Sequence, residues 1–199
     1  MPPTEKALDR RRALVRAAAT LLPVLGLRGT TTRAVTDHAG VGTGLLNHYF
    51  RWPELRAAAW GAVFDAVAET QYADGATNPS GAMERYCTTA FMEESRPYWQ
   101  LWIEACDLAP ADPALARELA RAQARLTDGL AQTLRHGVAA GCWTLADPAA
   151  TAVRLGALHD GLVALLLSGI GGIGPAEAER HLRTAFALEC GLPADRARP

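Results

Sequence analysis

The residues whose types and spacing suit chemistry fall in one stretch, 31–50, which reads TTRAVTDHAGVGTGLLNHYF. Its second half sets a hydroxyl (Thr43), an amide (Asn47), an imidazole (His48) and a phenol (Tyr49) within seven positions, with Gly44 and Leu45 among them. Asp, Glu, Lys and Arg are absent there, yet all four polar groups can hydrogen-bond phosphate oxygens or touch base edges. Bond-breaking chemistry has a weaker footing. The five histidines, His38, His48, His136, His159 and His181, show no metal-ligand spacing, and none of the three serines sits in a nucleophile elbow. Glu93-Glu94 and His159-Asp160 are sequence neighbours, which point apart on a helix and make poor acid–base pairs. No Gly-rich phosphate loop follows a strand. The sequence therefore predicts no enzyme, no metal and no cofactor.

Two short helices must position the polar cluster. Thr31 and Thr32 offer N-cap hydroxyls to the first, which carries Val35 and Ala39 on one face and ends at Gly40, a residue suited to a left-handed turn. Gly42 and Thr43 open the second, in which Leu46 and Phe50 share a face and leave Thr43, Gly44, Leu45, Asn47, His48 and Tyr49 on the others. Helix, Gly-bearing turn, helix is the helix-turn-helix pattern, and Gly44 lets a sugar-phosphate chain approach closely. Ahead of it a helix is predicted from about Glu5 to Leu25, with Leu14, Ala17, Ala18, Leu21, Leu22 and Leu25 at helical spacing and Arg10, Arg11, Arg12 and Arg16 near its start. Those arginines are either a solvated face or a source of phosphate contact and steering. Pro23 predicts a kink or early end, and Gly26 and Gly29 close the helix.

Charge divides along the same line. Residues 1–56 hold nine Lys/Arg against four Asp/Glu, net +5, whereas residues 57–199 hold eleven against seventeen, net −6. A basic head on an acidic body is the footprint of a nucleic-acid-binding domain carried by a domain of another kind. The expected boundary falls at residue 52, giving a head of 1–52 and a body of 53–199. The body reads as helices throughout, opened at Pro53, near Ser80, after Pro97, at Pro113 and, capped by Asp147, at Pro148. The expected class is all-α: a three-helix head and a helical bundle. The C-terminal 195–199 reads as disordered.

The first helix ending in a Gly-containing loop, the Thr-rich entry, Ala39-Gly40-Val41, Gly44, Leu46, Tyr49-Phe50 and Glu54-Leu55 resemble the DNA-binding head of the tetracycline-repressor (TetR) family over about residues 7–60. The resemblance implies that Thr31, Thr43, Asn47, His48 and Tyr49 face double-stranded operator DNA, that Gly44 packs against it and that Leu45 has most say over bases; Thr32, Arg33 and Gly42 beside them complete the expected DNA-binding surface. The chain departs from the family at Gly42, where Ser is common, at Asn47, where Tyr is common, and at Arg51-Trp52-Pro53, where a helix-opening Lys is missing; Arg51 or Arg56 is the candidate replacement for its phosphate contact. From Trp99 to Leu192 the chain also resembles the regulatory body of the choline-responsive betaine-pathway repressors, through Gly141-Cys142-Trp143, Asp147-Pro148 and His159-Asp160-Gly161-Leu162. That implies a ligand-sensing, dimerising domain.

Trp99 and Trp102 lie three apart, with Glu104 and Asp107 close behind, so aromatic faces plus a carboxylate there would hold an organic cation. Phe64, Tyr86, Cys106 and His159 are candidates for the remaining wall. Core packing of both tryptophans, or a neutral effector, fits the same residues. The stretch 148–169 is apolar on all sides, which predicts burial on more than one. Leu155, Leu158, Leu162 and Leu166, with Leu182 and Phe186 from the last helix, are the expected interface of a two-fold homodimer, a monomeric bundle being the other reading. The longest apolar run, 161–174, is shorter than the about twenty residues a bilayer needs, so no membrane is expected. No secretory signal is read, and Cys87, Cys106, Cys142 and Cys190 form no C-x-x-C pair; a cytoplasmic protein with reduced thiols is expected. The sequence thus predicts an operator-binding homodimer released by an unidentified small molecule. A ligand-independent regulator and a helical small-molecule carrier stay open.

Overall fold

The structure, a computed structural model, describes residues 4–193. Nine α-helices and two short 3-10 turns, Glu93–Ser95 and Ala109–Ala111, make up the regular structure among them. The first helix, α1 (Glu5–Gly29), is broken at Gly26, whose φ of 73° leaves the helical region. Pro23 is accommodated inside it, so the expected end near Leu25 falls at the glycine. Leu14, Ala17, Ala18, Leu22 and Leu27 form its buried stripe. The next two helices, α2 (Thr32–Ala39) and α3 (Thr43–Tyr49), are the predicted pair.

Then come α4 (Trp52–Tyr72), α5 (Pro79–Thr89), α6 (Arg96–Leu108), α7 (Pro113–Ala139), α8 (Pro148–Ser168) and α9 (Pro175–Glu189). Local chemistry explains their starts. Asn78 and Asp147 accept from the backbone N–H groups of Gly81 and Ala150, and proline opens both helices where its missing donor costs nothing. Asp112 caps α7 in the same way, accepting from Ala114 and Leu115 at 3.1 Å. The expected disorder of 195–199 lies outside the described residues.

Contacts group the chain into two compact units, residues 1–66 with 97–123 and residues 67–96 with 124–199. The predicted division at residue 52 does not coincide with these units, because α4 continues the head's packing past Trp52. Leu55, Ala59 and Trp60 are fully buried, and the Trp60 indole donates to the Leu101 carbonyl of α6 at 3.2 Å. Arg56 pairs with Asp112 at 2.7 Å in a half-buried setting. Glu104 of α6 accepts from the Leu27 N–H at 2.6 Å, directly after the Gly26 break, and Arg28 pairs with Asp107. The first unit is therefore a head clasped by α6 and the start of α7.

In the second unit α9 packs on α8 and α5. Leu155, Leu162 and Val163 of α8 and Ala178, Leu182 and Ala187 of α9 are buried there. Arg183 joins α9 to α5 through Glu84 at 2.6 Å and takes a second carboxylate from Glu179 at 2.7 Å. The whole of α8, unlike the shorter run considered in the sequence, is long and apolar enough to cross a membrane, with a mean hydropathy of 1.4. One side of it is packed inside the unit, around Thr151 and His159 as well as its apolar residues, as in the central helix of a bundle.

Candidate nucleic-acid interface

Helices α2 and α3 pack together, and Val35 of the first and Leu46 of the second are not accessible at all. Between them Gly40 takes φ 65° and ψ 35°, a left-handed cap that closes α2 and turns the chain. Thr31 is the residue that caps α2, its hydroxyl accepting from the Ala34 N–H at 3.2 Å, while Thr32 is the first residue of the helix. Burying Leu46 on one side of a seven-residue helix leaves Thr43, Gly44, Asn47 and His48 exposed and Leu45 and Tyr49 half-buried. A side-chain carbon added at Gly44 would meet nothing within 4 Å, so the exposed backbone is open to a ligand.

The surrounding residues extend this face. Arg33 and Gly42 are exposed, and Arg33 sits 3.6 Å from Asp37 on its own helix. The His48 and Tyr49 rings meet edge-on at 5.0 Å. Arg51 is exposed, and its N–H donates to the Glu54 carboxylate at 3.4 Å, half of a capping box that opens α4. The arrangement presents neutral donors and acceptors on a short helix, backed by a basic head, which is what a helix entering a major groove requires.

The proposed effector residues are divided between the two units. In the first, Trp102 packs at 5.0 Å from Phe64 and 5.4 Å from the buried Trp60. The carboxylates read beside the tryptophans are engaged elsewhere: Glu104 holds the Leu27 N–H and Asp107 holds Arg28. Trp99 is half-buried and Cys106 exposed. In the second unit Tyr86, Phe91 and His159 form an aromatic group, with ring centroids 4.9 Å from Tyr86 and 5.7 Å from Phe91 to His159. Burial lowers the His159 pKa to about 4 and raises that of Asp160, so neutral imidazole is the stable form and the 3.8 Å approach of the two is no ion pair at neutral pH. Burial likewise raises the Tyr86 phenol and pushes the Cys87 thiol up to about 12. A cavity of about 160 Å³, walled by Met83, Cys87, Trp143, Arg183, Phe186 and Leu192 among others, also lies in the second unit; none of the predicted effector residues lines it.

The predicted interface residues differ in burial within the chain. Leu155, Leu162 and Leu182 are 1%, 5% and 0% exposed, so they are committed to the chain's own core. Leu158, Leu166 and Phe186 are half-buried. The accessible side of α8 instead presents Val153, Ala157, Gly161, Ala164 and Leu165, and α9 adds Leu188. The sequence reads α8 as apolar all round and gives the stripe of Leu155, Leu158, Leu162 and Leu166 to the interface, whereas Leu155 and Leu162 are buried within the chain. The sequence reads Arg11 only as part of a basic cluster; in the structure its guanidinium lies 3.9 Å over the Phe50 ring and donates to the Tyr49 carbonyl.

Fold and exposed face together define a helix-turn-helix DNA-binding regulator with a helical body. The C-terminal domain of BetI-type transcriptional repressors matches residues 79–191, and the bacterial regulatory proteins of the tetR family match residues 14–51. The chain belongs to the TetR family of transcriptional regulators, in which ligand-responsive repression is typical. Among solved structures it is similar to a protein from Rhodococcus sp. assigned to the TetR-family regulators, with 26% identity, a TM-score of 0.71 and coverage of 92% of this chain and 99% of that one. A transcriptional regulator from Saccharomonospora viridis, in complex with choline, shares the fold at 20% identity, TM-score 0.71 and coverage of 91% and 96%. Escherichia coli NemR in its reduced form does so at 17% identity, TM-score 0.73 and coverage of 93% and 100%. No curated protein matches.

Proposed function

We propose that the chain is a dimeric, cytoplasmic repressor that holds an operator with α3 and releases it when a small organic cation binds the body. The observation that carries the DNA-binding half is the pair α2 and α3, in which Val35 and Leu46 are completely buried while Thr43, Gly44, Asn47 and His48 of α3 are exposed. Thr31, Thr43 and Tyr49 are its phosphate donors and Leu45 its base-reading side chain. Arg33 and Arg51 lie exposed beside them and supply charge toward phosphates.

A quaternary ammonium compound is the effector to try first. Support comes from the BetI-type body, from the choline held by the S. viridis protein, and from the aromatic group in the second unit. Tyr86, Phe91 and neutral His159 offer ring faces, and Asp160 adjoins them with a carboxylate. Trp102 and Phe64 serve packing in this reading, and Asp107 serves Arg28. Release requires only that the cation bind better to the form whose two heads are wrongly spaced for successive major grooves, about 34 to 36 Å apart.

The test is titration of choline, with a neutral isostere beside it, into the protein bound to an operator fragment selected from genomic DNA. Choline should release the fragment. Tyr86→Leu should raise the choline needed by at least about tenfold, with Tyr86→Phe nearly unaffected. Release by the neutral compound alone would remove the cation and leave the repressor.

A further inference from the structure

Helix α3 has seven residues, too few to hold its own shape in water, so contacts from outside must fix its direction. Its C-terminal end is the critical one, since Asn47, His48 and Tyr49 are there. The last carbonyls of any helix lack intrahelical donors. At this end the Phe50 N–H donates to the Leu46 carbonyl at 2.9 Å, and the Arg51 N–H turns away to the Glu54 carboxylate. The residue that would serve the Tyr49 carbonyl in a continued helix is Pro53, which has no N–H. Arg11 of α1 fills the gap: its Nη1 donates to the Tyr49 carbonyl, and the same guanidinium lies 3.9 Å over the Phe50 ring. Phe50 is itself only 6% exposed and therefore fixed in the head's core.

We propose that Arg11 is a positioning residue for operator recognition, gripping the last carbonyl of α3 and the ring after it so that the base-reading side of the helix keeps one orientation. This rests on the reading that α3 meets DNA. A cation at a helix C-terminus is favoured by the helix dipole, and a guanidinium stacked on an aromatic ring by the ring's negative face. Both contacts come from one planar side chain, so they limit the roll of α3 as well as its advance. Arg12, by contrast, is paired with Asp9 of its own helix at 2.9 Å. A residue of the basic cluster that sequence alone reads as solvent-facing or phosphate-directed thus acts on the helix that reads bases.

The experiment measures wild type, Arg11→Met and Arg11→Gln on the selected operator fragment and on unrelated duplex, across a range of salt concentrations, with thermal melts to establish that each variant is folded. A positioning role predicts that Arg11→Met loses about tenfold in operator affinity, keeps its affinity for unrelated duplex, and keeps the slope of log affinity against log salt. Arg11→Gln, which retains an amide N–H for the carbonyl, recovers part of the difference. A slope shallower by about one, with equal losses on both DNAs, would make Arg11 a phosphate contact and overturn the proposal. Unchanged operator binding by Arg11→Met overturns it too. If the wild type itself selects no fragment, the DNA-binding reading fails first and takes this proposal with it.

Discussion

His159 shows how much one side chain depends on its surroundings. Its imidazole sits between Tyr86 and Phe91, and burial lowers its pKa from 6.5 to about 4. The unfolded chain therefore binds a proton that the folded chain refuses between those two values. Stability from this group is complete above about pH 6.5 and is lost as pH falls toward 4, by an amount on the order of 3 kcal/mol. His159→Phe should remove that part of the acid sensitivity in urea melts at pH 5 and pH 7.5; an undiminished pH dependence would show that other groups govern it. A second residue-scale case is Gly26. It combines φ 73° with a Glu104 carboxylate oxygen 2.9 Å from where a side chain would begin, so Gly26→Ala should cost about 1 to 3 kcal/mol in a thermal melt. A variant as stable as the wild type would mean that the clasp of α6 on α1 yields freely. The sequence marked Gly26 as a helix end, but the partner that makes it indispensable comes from 78 positions along the chain and left no local trace.

Among the elements, those with strong local signals were legible. The threonine cap, Gly40 and the 3.6-residue spacing of Val35, Leu46 and their neighbours identify α2 and α3, and proline or Asx starts mark α5, α7 and α8. The faces of α8 were not legible, because periodicity cannot separate two apolar sides of one helix. Burial separates them: Leu162 lies inside, whereas Val153 is 60% and Leu165 37% exposed. If the accessible side is the dimer face, Val153→Glu and Leu165→Glu should give folded monomers by sedimentation. Leu162→Glu should instead unfold the body, since it places a charge without a partner in the core. Dimers that survive both surface changes would move the interface off α8. The effector residues were the least legible part of the chain. Trp102 and its acidic neighbours look like a cation site in one dimension, but in the fold the ring packs on Trp60 and Phe64 while the acids serve α1.

For the whole molecule, the basic charge of residues 1–56 against the acidic remainder suits a chain that meets DNA at its N-terminal end. If the basic head binds DNA, its affinity should fall steeply with salt, and a dimer with two heads on one operator would double the number of phosphates neutralised. On the proposed reading, sequence specificity comes from α3, where the side chains are neutral and the backbone at Gly44 is open. The central claim is that this helix reads the operator, and the most direct test is binding of single-position operator variants by Leu45→Ala, Thr43→Ala and Tyr49→Phe, followed by fluorescence anisotropy. Leu45→Ala should change the preference at one base pair by about 1 to 3 kcal/mol, while Thr43→Ala and Tyr49→Phe should weaken all variants alike. Operator affinity and base preference unchanged in all three would contradict that claim.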